Sequence, residues 1–176
     1  MGLDLRQEES YGKWDKIESG DVAFLFPKAL QGADYLLASL PEAIDVNVFP
    51  PPSSLYYGIA GVSVALNEVF KVTAARKYRT GALRCVELLH KTVKKIGRGS
   101  TWSNYNDVLF GDAGTGLFLL YAAREMNHPL SRKLAISIGH RLVEEAVKDR
   151  GGLSWKLRDD RAHHSRQGFC KQACIG

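Results

Sequence analysis

Two stretches of this 176-residue chain repeat each other at a fixed offset. The first reads Leu55-Tyr56-Tyr57-Gly58-Ile59-Ala60-Gly61 and the second Val108-Leu109-Phe110-Gly111-Asp112-Ala113-Gly114. Gly58 and Gly111 lie 53 residues apart, and Leu66/Leu119 and Leu89/Leu142 keep that spacing. A constant period with one Gly-x-Ala-Gly signature per unit is the mark of a repeat architecture, in which each unit buries its apolar face against the next. The period leaves room for two helices per unit. The helix after each signature is apolar nearly all round, most clearly at 117–121, so it is expected to be buried on both sides. The second helix is amphipathic. In unit one Ala82, Val86, Leu89, Val93 and Ile96 step at helical spacing. In unit two Leu134, Ile138, Leu142 and Ala146 share a face, leaving Arg132, Arg141, Glu144 and Glu145 for water. An inner and an outer helix, used twice, predict an all-α fold: an α/α toroid, here a partial, open array of helical hairpins. No segment alternates convincingly at period two, so little or no sheet is expected.

The flanks are simpler. Residues 1–20 are polar and aperiodic and read as a flexible tail. Residues 22–40 carry Leu25, Leu30, Leu36, Leu37 and Leu40 at helical spacing, with Pro27 placed to open the helix. Pro41 and the run Pro50-Pro51-Pro52 then force a loop. The domain is expected over 21–158, followed by a divergent or disordered tail at 159–176.

Hydrophobic residues make up 45% and charged residues 24%, which excludes an intrinsically disordered or fibrous chain. No apolar run is long enough to span a bilayer, and the N-terminus has neither a signal-peptide pattern nor a myristoylation site. Three cysteines make no disulfide framework, so the expected location is the cytoplasm. The net charge of +5 is uneven: −2 over residues 1–80 and +7 over 81–176. Lys91, Lys94, Lys95 and Arg98 fall on one face of a helix that would reach them. They lack interleaved aromatics, so a solvated face is preferred and no nucleic-acid partner is expected. Neither a P-loop nor a Gly-x-Ser-x-Gly elbow occurs, and no dinucleotide fingerprint follows a strand.

Gly-x-Ala-Gly at a helix start has two readings. Small residues let inner helices crowd together. They also allow close approach of a ligand to free backbone N–H groups, where helix starts converge on a common cavity.

The stretches Leu55–Val62 and Asn106–Glu125, with Gly151-Gly152-Leu153-Ser154-Trp155 closing the second unit, resemble the lanthionine synthetase C-like (LanC-like) family. The resemblance covers about residues 50–158. It implies a double ring of helices and, in catalytic members, a zinc ion held by two cysteines and a histidine. That zinc turns a peptide cysteine into a thiolate, which adds to a dehydrated residue and closes a lanthionine thioether ring. A peptide or thiol substrate is the implied partner. Asp107, four residues before Gly111, stands where catalytic members carry an aspartate that assists proton handling or orients a partner. Helix-entry chemistry explains the same residue, since an aspartate there accepts backbone N–H bonds. Tyr57, Gly58, Gly61, Gly111, Asp112 and Gly114 are the implied cavity-lining set, with a helix cap as the plain role for Asp112. Tyr56, Trp102 and Tyr105 precede the repeat starts and fit cavity or core.

The sequence also departs from the family. Its zinc ligands belong to later repeats, and a histidine acid/base candidate lies in a repeat start of the His-Gly-x-x-Gly type. After Trp155 this chain runs Lys156 to His164 into no such motif. No metal site is therefore assigned, zinc stays an implication of the resemblance, and the chain is expected to be an incomplete, inactive part of a LanC-like protein. An open ring would expose inner helices and favour self-association. Cys170 and Cys174, with His163 and His164 nearby, have an allowed zinc spacing but not the family's arrangement. Cys85 reads as a buried inert thiol, and His90, His128 and His140 as scattered. The alternative function is a non-catalytic helical-repeat module that binds a peptide, a thiol ligand or a partner protein. Carbohydrate hydrolysis ranks last, because Asp107 and Asp112 are too close in sequence to be a confident pair of opposed carboxylates.

Overall fold

The structure is a computed structural model that describes residues 19–155 and 173–174. Its helices are α1 (Ser19–Ala38), α2 (Ile59–Thr73), α3 (Arg76–Thr92), α4 (Asp112–Glu125) and α5 (Pro129–Glu145). Its strands are β1 (Lys94–Ile96), β2 (Gly99–Thr101), β3 (Val147–Asp149), β4 (Gly152–Trp155) and β5 (Ala173–Cys174). The repeat is carried by eight of the ten elements, all but α1 and β5. α2, α3, β1 and β2 begin at Ile59, Arg76, Lys94 and Gly99, and α4, α5, β3 and β4 begin 53 residues on, at Asp112, Pro129, Val147 and Gly152.

Each unit is an inner helix, a reversal of two or three residues, an outer helix and a β-hairpin. The reversal contains one left-handed residue: Ala74 at φ 55° in unit one, and Asn127 at φ 51° in unit two. Asparagine visits that region readily, whereas alanine does so at a cost of about 1 kcal/mol. The backbone N–H of Ala74 bonds the Phe70 carbonyl at 2.8 Å and closes α2. Each hairpin is then tied to its outer helix by a tryptophan. Trp102 Nε1 donates to the Leu89 carbonyl (3.0 Å), and Trp155 Nε1 to the Leu142 carbonyl (2.7 Å). These carbonyls lie in the last turn of α3 and α5, where helices leave C=O groups unpaired.

The core lies between inner and outer layers. Ala60 and Leu66 of α2 meet Ala82, Cys85, Val86 and Leu89 of α3, and Phe118, Leu119 and Ala122 of α4 meet Leu134, Ala135 and Ile138 of α5. Trp102 is buried between the units. Tyr121 of α4 links the inner helices: its hydroxyl accepts from Asn67 Nδ2 (2.8 Å) and donates to Glu68. α1 lies against α2 and α3, with Ala33 buried and Asp34 receiving bonds from Lys77 and Tyr78.

The all-α reading stands, with four corrections of detail. Two small sheets are present, β1-β2 and β3-β4-β5, as strands of two to four residues are too short to show alternation in the sequence. α1 begins at Ser19, so Pro27 sits inside it rather than opening it, and the helix gives up one backbone bond there. α3 stops at Thr92, and Ile96 stands in β1, 40% exposed. Lys94 and Lys95 are therefore strand residues and Arg98 a turn residue, which dissolves the basic helical stripe. The inner helix α4 is buried on one side only: Leu117 and Leu120 are about half exposed, because among the described residues α4 packs chiefly on α5.

Candidate functional site

Both inner helices begin at the same end of the array. The backbone N–H of Tyr56 bonds the carbonyl of Leu109 (3.4 Å), and the rings of Tyr57 and Phe110 stack with centroids 5.0 Å apart. The two elbows are built alike. In unit one the N–H of Ile59 bonds the Pro52 carbonyl (2.8 Å), and in unit two the N–H of Asp112 bonds that of Tyr105 (3.0 Å). A Cβ on Gly58 would run into Pro52, and one on Gly111 into Tyr105 and Asp107. A Cβ on Gly61 would strike the Leu55 carbonyl, and one on Gly114 the Val108 carbonyl. The glycines let each loop fold back onto the first turn of its own helix. That is close approach of each loop to its own helix, not the crowding of inner helix against inner helix that the small residues suggested.

Asp107 sits in the second loop, half-buried. Its Oδ1 accepts the N–H groups of Leu109 (2.7 Å) and Phe110 (2.8 Å). Ser54, one period earlier, does the same with Tyr57, whose N–H meets Ser54 Oγ at 3.2 Å. The architectural part of Asp107 is thus a loop cap that a serine also supplies, and among the described residues Oδ2 has no hydrogen-bond partner.

Asp112 departs from the sequence reading. It is the first residue of α4, but its carboxylate turns inward and is wholly buried, so it does not line an open cavity. Oδ1 accepts the Trp102 N–H (3.1 Å), and Oδ2 accepts the Thr101 hydroxyl and an Arg141 Nη1. Arg141, expected on the solvent face, is 2% exposed. Its guanidinium also reaches Thr101 (3.0 Å), Asn106 (3.1 Å) and both carboxylate oxygens of Glu145 (3.0 Å each). All five of its N–H donors are used, which makes the charge tolerable inside the protein. Burial pushes the Asp112 carboxyl up to about 6, against the Thr101 hydroxyl, Arg141 and backbone N–H groups that hold it down. Arg141 thereby grips the loop that carries Asp107 at Asn106 and at the helix start.

Above the elbows lies an apolar surface. Phe110 contacts Phe49 (5.4 Å) as well as Tyr57, and Phe49 contacts Tyr105 (5.7 Å). Phe49, Tyr56 and Tyr57 are each about two-thirds exposed, and Val108 and Leu109 about half. Phe49 and Phe110 were missed in the sequence: both flank the repeat starts, but nothing local marks them as neighbours. Tyr57 lies in this exposed surface, while Trp102 belongs to the core.

The sequence profile of the lanthionine synthetase C-like proteins matches residues 50–163. The chain belongs to the lanthionine synthetase C-like family. No curated protein and no solved structure matches it. The LanC-like profile spans both elbows and both inner–outer helix pairs, the portion whose elements repeat in the structure.

The zinc that the family implies was tested against the residues present. Among the described residues no group of three His, Cys, Asp or Glu side chains could hold a metal ion. Cys85 is buried, and desolvation pushes its thiol up to about 12, far from a thiolate ligand. The described residues do not fit the metal. Cys170, His163 and His164 lie outside them, and of Cys174 only the backbone pairing of β5 with β4 is described. No described helix is long and apolar enough to cross a membrane.

Proposed function

We propose that this LanC-like chain supplies the substrate-facing end of a toroid, where a peptide or thiol ligand is held, and does not itself form the thioether bond. One observation carries the reading: the exposed Phe49–Phe110–Tyr57 surface lies across both elbows, beside a half-buried Asp107 with one carboxylate oxygen left by the loop. Aromatic rings already packed on one another offer contact area with little further loss of freedom on binding. Asp107 Oδ2 would accept an N–H of the ligand or orient a protonated group. The role assigned to Asp107 ends at binding and orientation, because the donor set of the described residues gives no means of making a thiolate.

The test is calorimetric titration of the purified chain with a short cysteine-containing peptide, its serine counterpart and glutathione, alongside elemental analysis for zinc. Saturable binding is expected, weakened at least tenfold by Tyr57→Ala and less by Asp107→Asn, with no thioether product from a dehydrated peptide. Absence of saturable binding, or turnover of a dehydrated peptide by this chain alone, would overturn the proposal.

A further inference from the structure

His90, at the C-terminal end of α3, and His128, just before α5, come together around one hydroxyl. His90 Nε2 lies 3.2 Å from Ser131 Oγ, and His128 Nδ1 lies 2.8 Å from the same oxygen. The ring centroids are 5.1 Å apart at 60°. Ser131 is wholly buried, so it cannot serve as a nucleophile for an outside substrate. The cluster joins the outer helices of the two units, and nothing local in the sequence announces it.

Counting protons shows what the arrangement does. With both rings neutral, one ring N–H donates to Ser131 Oγ, and the serine hydroxyl donates to the other ring. One added proton is accommodated: the charged ring donates to the serine, which donates to the neutral ring. A second proton is not. Both rings would then donate to the same oxygen, the buried hydroxyl would lose its acceptor, and two cations would face each other across about 5 Å. Burial and the neighbouring His128 already hold His90 below the usual imidazole range, with only Glu87, one turn back on α3, pulling the other way. The other charges nearby are Lys91 of α3, Arg132 and Lys133 of α5, Arg79 of α3, whose guanidinium bonds the Met126 carbonyl just before the turn, and Glu125 at the end of α4, which is already paired with Arg124 and Lys71. The start of α5 adds the positive end of its dipole.

We infer that His90, Ser131 and His128 form an acid-sensitive latch between α3 and α5, closed while the pair carries at most one proton and released when it takes up the second. For a group held below its unfolded value, the stability it contributes is present above the unfolded value. It is lost as the pH falls through the folded one. With an ordinary imidazole near 6.5, the loss sets in below about pH 6.5. The inference does not rest on the proposed ligand site, which lies at the elbows.

The test is a proton–carbon NMR titration of the two imidazoles in the intact chain from pH 8 to 4.5. The pair is expected to titrate in two separated steps sensed by both rings. In His128→Gln, His90 should titrate in a single step shifted upward. The fall in urea midpoint between pH 7.5 and 5.0 should shrink by at least half in His128→Gln, and in Ser131→Ala the coupling should weaken to what direct repulsion of the two rings leaves. The inference is overturned if the two rings titrate independently near 6.5 in the unaltered chain, a result that needs no variant. It is equally overturned if the acid loss of stability is unchanged in His128→Gln.

Discussion

Replacing Arg141 by methionine should be among the most damaging single changes available to this chain. Methionine roughly preserves the apolar stem but removes the fork that meets Asp112, Thr101, Asn106 and Glu145. Asp112 would keep its full burial and its bonds to Thr101 and Trp102 but lose its cation. Breaking a buried pair by removing one partner costs about 3–5 kcal/mol, against a total of about 5–15 kcal/mol for an ordinary domain. The cost has a sign with pH. The Asp112 carboxyl is already raised from 3.8 to about 6, and losing Arg141 raises it further. The stability tied to a raised carboxyl is complete below the unfolded value and is lost as the pH climbs through the folded one. In the variant that loss continues to higher pH, so the gap to the unaltered chain should be wide at pH 8 and narrower at pH 5. Urea unfolding followed by circular dichroism at both pH values would measure it, for Arg141→Met, Asp112→Asn and the double variant. The double variant should cost less than the sum of the singles by about 1–3 kcal/mol, because asparagine no longer leaves a bare charge. A loss below about 1 kcal/mol at pH 8, or a gap that does not change with pH, would refute the reasoning, since a fully buried ion pair could not then be what the network holds.

Three further outcomes follow from the packing. Gly114→Ala would force a Cβ into the Val108 carbonyl, a backbone atom that cannot swing aside, so a loss of about 2 kcal/mol or more in the same unfolding assay is expected. Gly139→Ala, where a Cβ meets nothing, should be neutral or slightly stabilising by comparison. Cys85, buried and pushed up to about 12, should resist alkylation at pH 8 in the native chain and label fully in denaturant, as read by mass spectrometry of its peptide; native labelling would contradict its burial. The exposed Leu117 and Leu120 of α4 should drive self-association, with sedimentation showing species heavier than 19.5 kDa that Leu117→Glu/Leu120→Glu shifts to monomer; a monomer at all concentrations would count against it.

The repeat was legible because it is local and periodic. Gly58/Gly111, Leu66/Leu119 and Leu89/Leu142 announce two units, and the inner and outer helices follow from where the apolar residues fall. Helix ends were less legible: Val93 and Ile96 continue the helical spacing of α3 although the helix has already ended at Thr92, since apolar spacing can run on by chance past the last helical backbone bond. Arg141 was misread for a different reason. Its partner Asp112 lies 29 residues away, and a long cation on an amphipathic helix ordinarily faces water. At the elbows, Asp107 and Tyr57 could be singled out from the sequence, but the parallel between Asp107 and Ser54 needed the loop geometry. The meeting of His90 and His128 on Ser131 is created entirely by the packing of one outer helix against the turn before the next.

The central claim is that the two small-residue elbows sit side by side at one end of a two-layer array. The most direct test is the nuclear Overhauser contact between the ring protons of Tyr57 and Phe110 in the full chain. Stacking with centroids 5.0 Å apart predicts strong ring-to-ring cross-peaks, accompanied by contacts from Phe49 to Phe110. Absence of both sets of cross-peaks in a folded sample, with each ring contacting only its own unit, would contradict the arrangement.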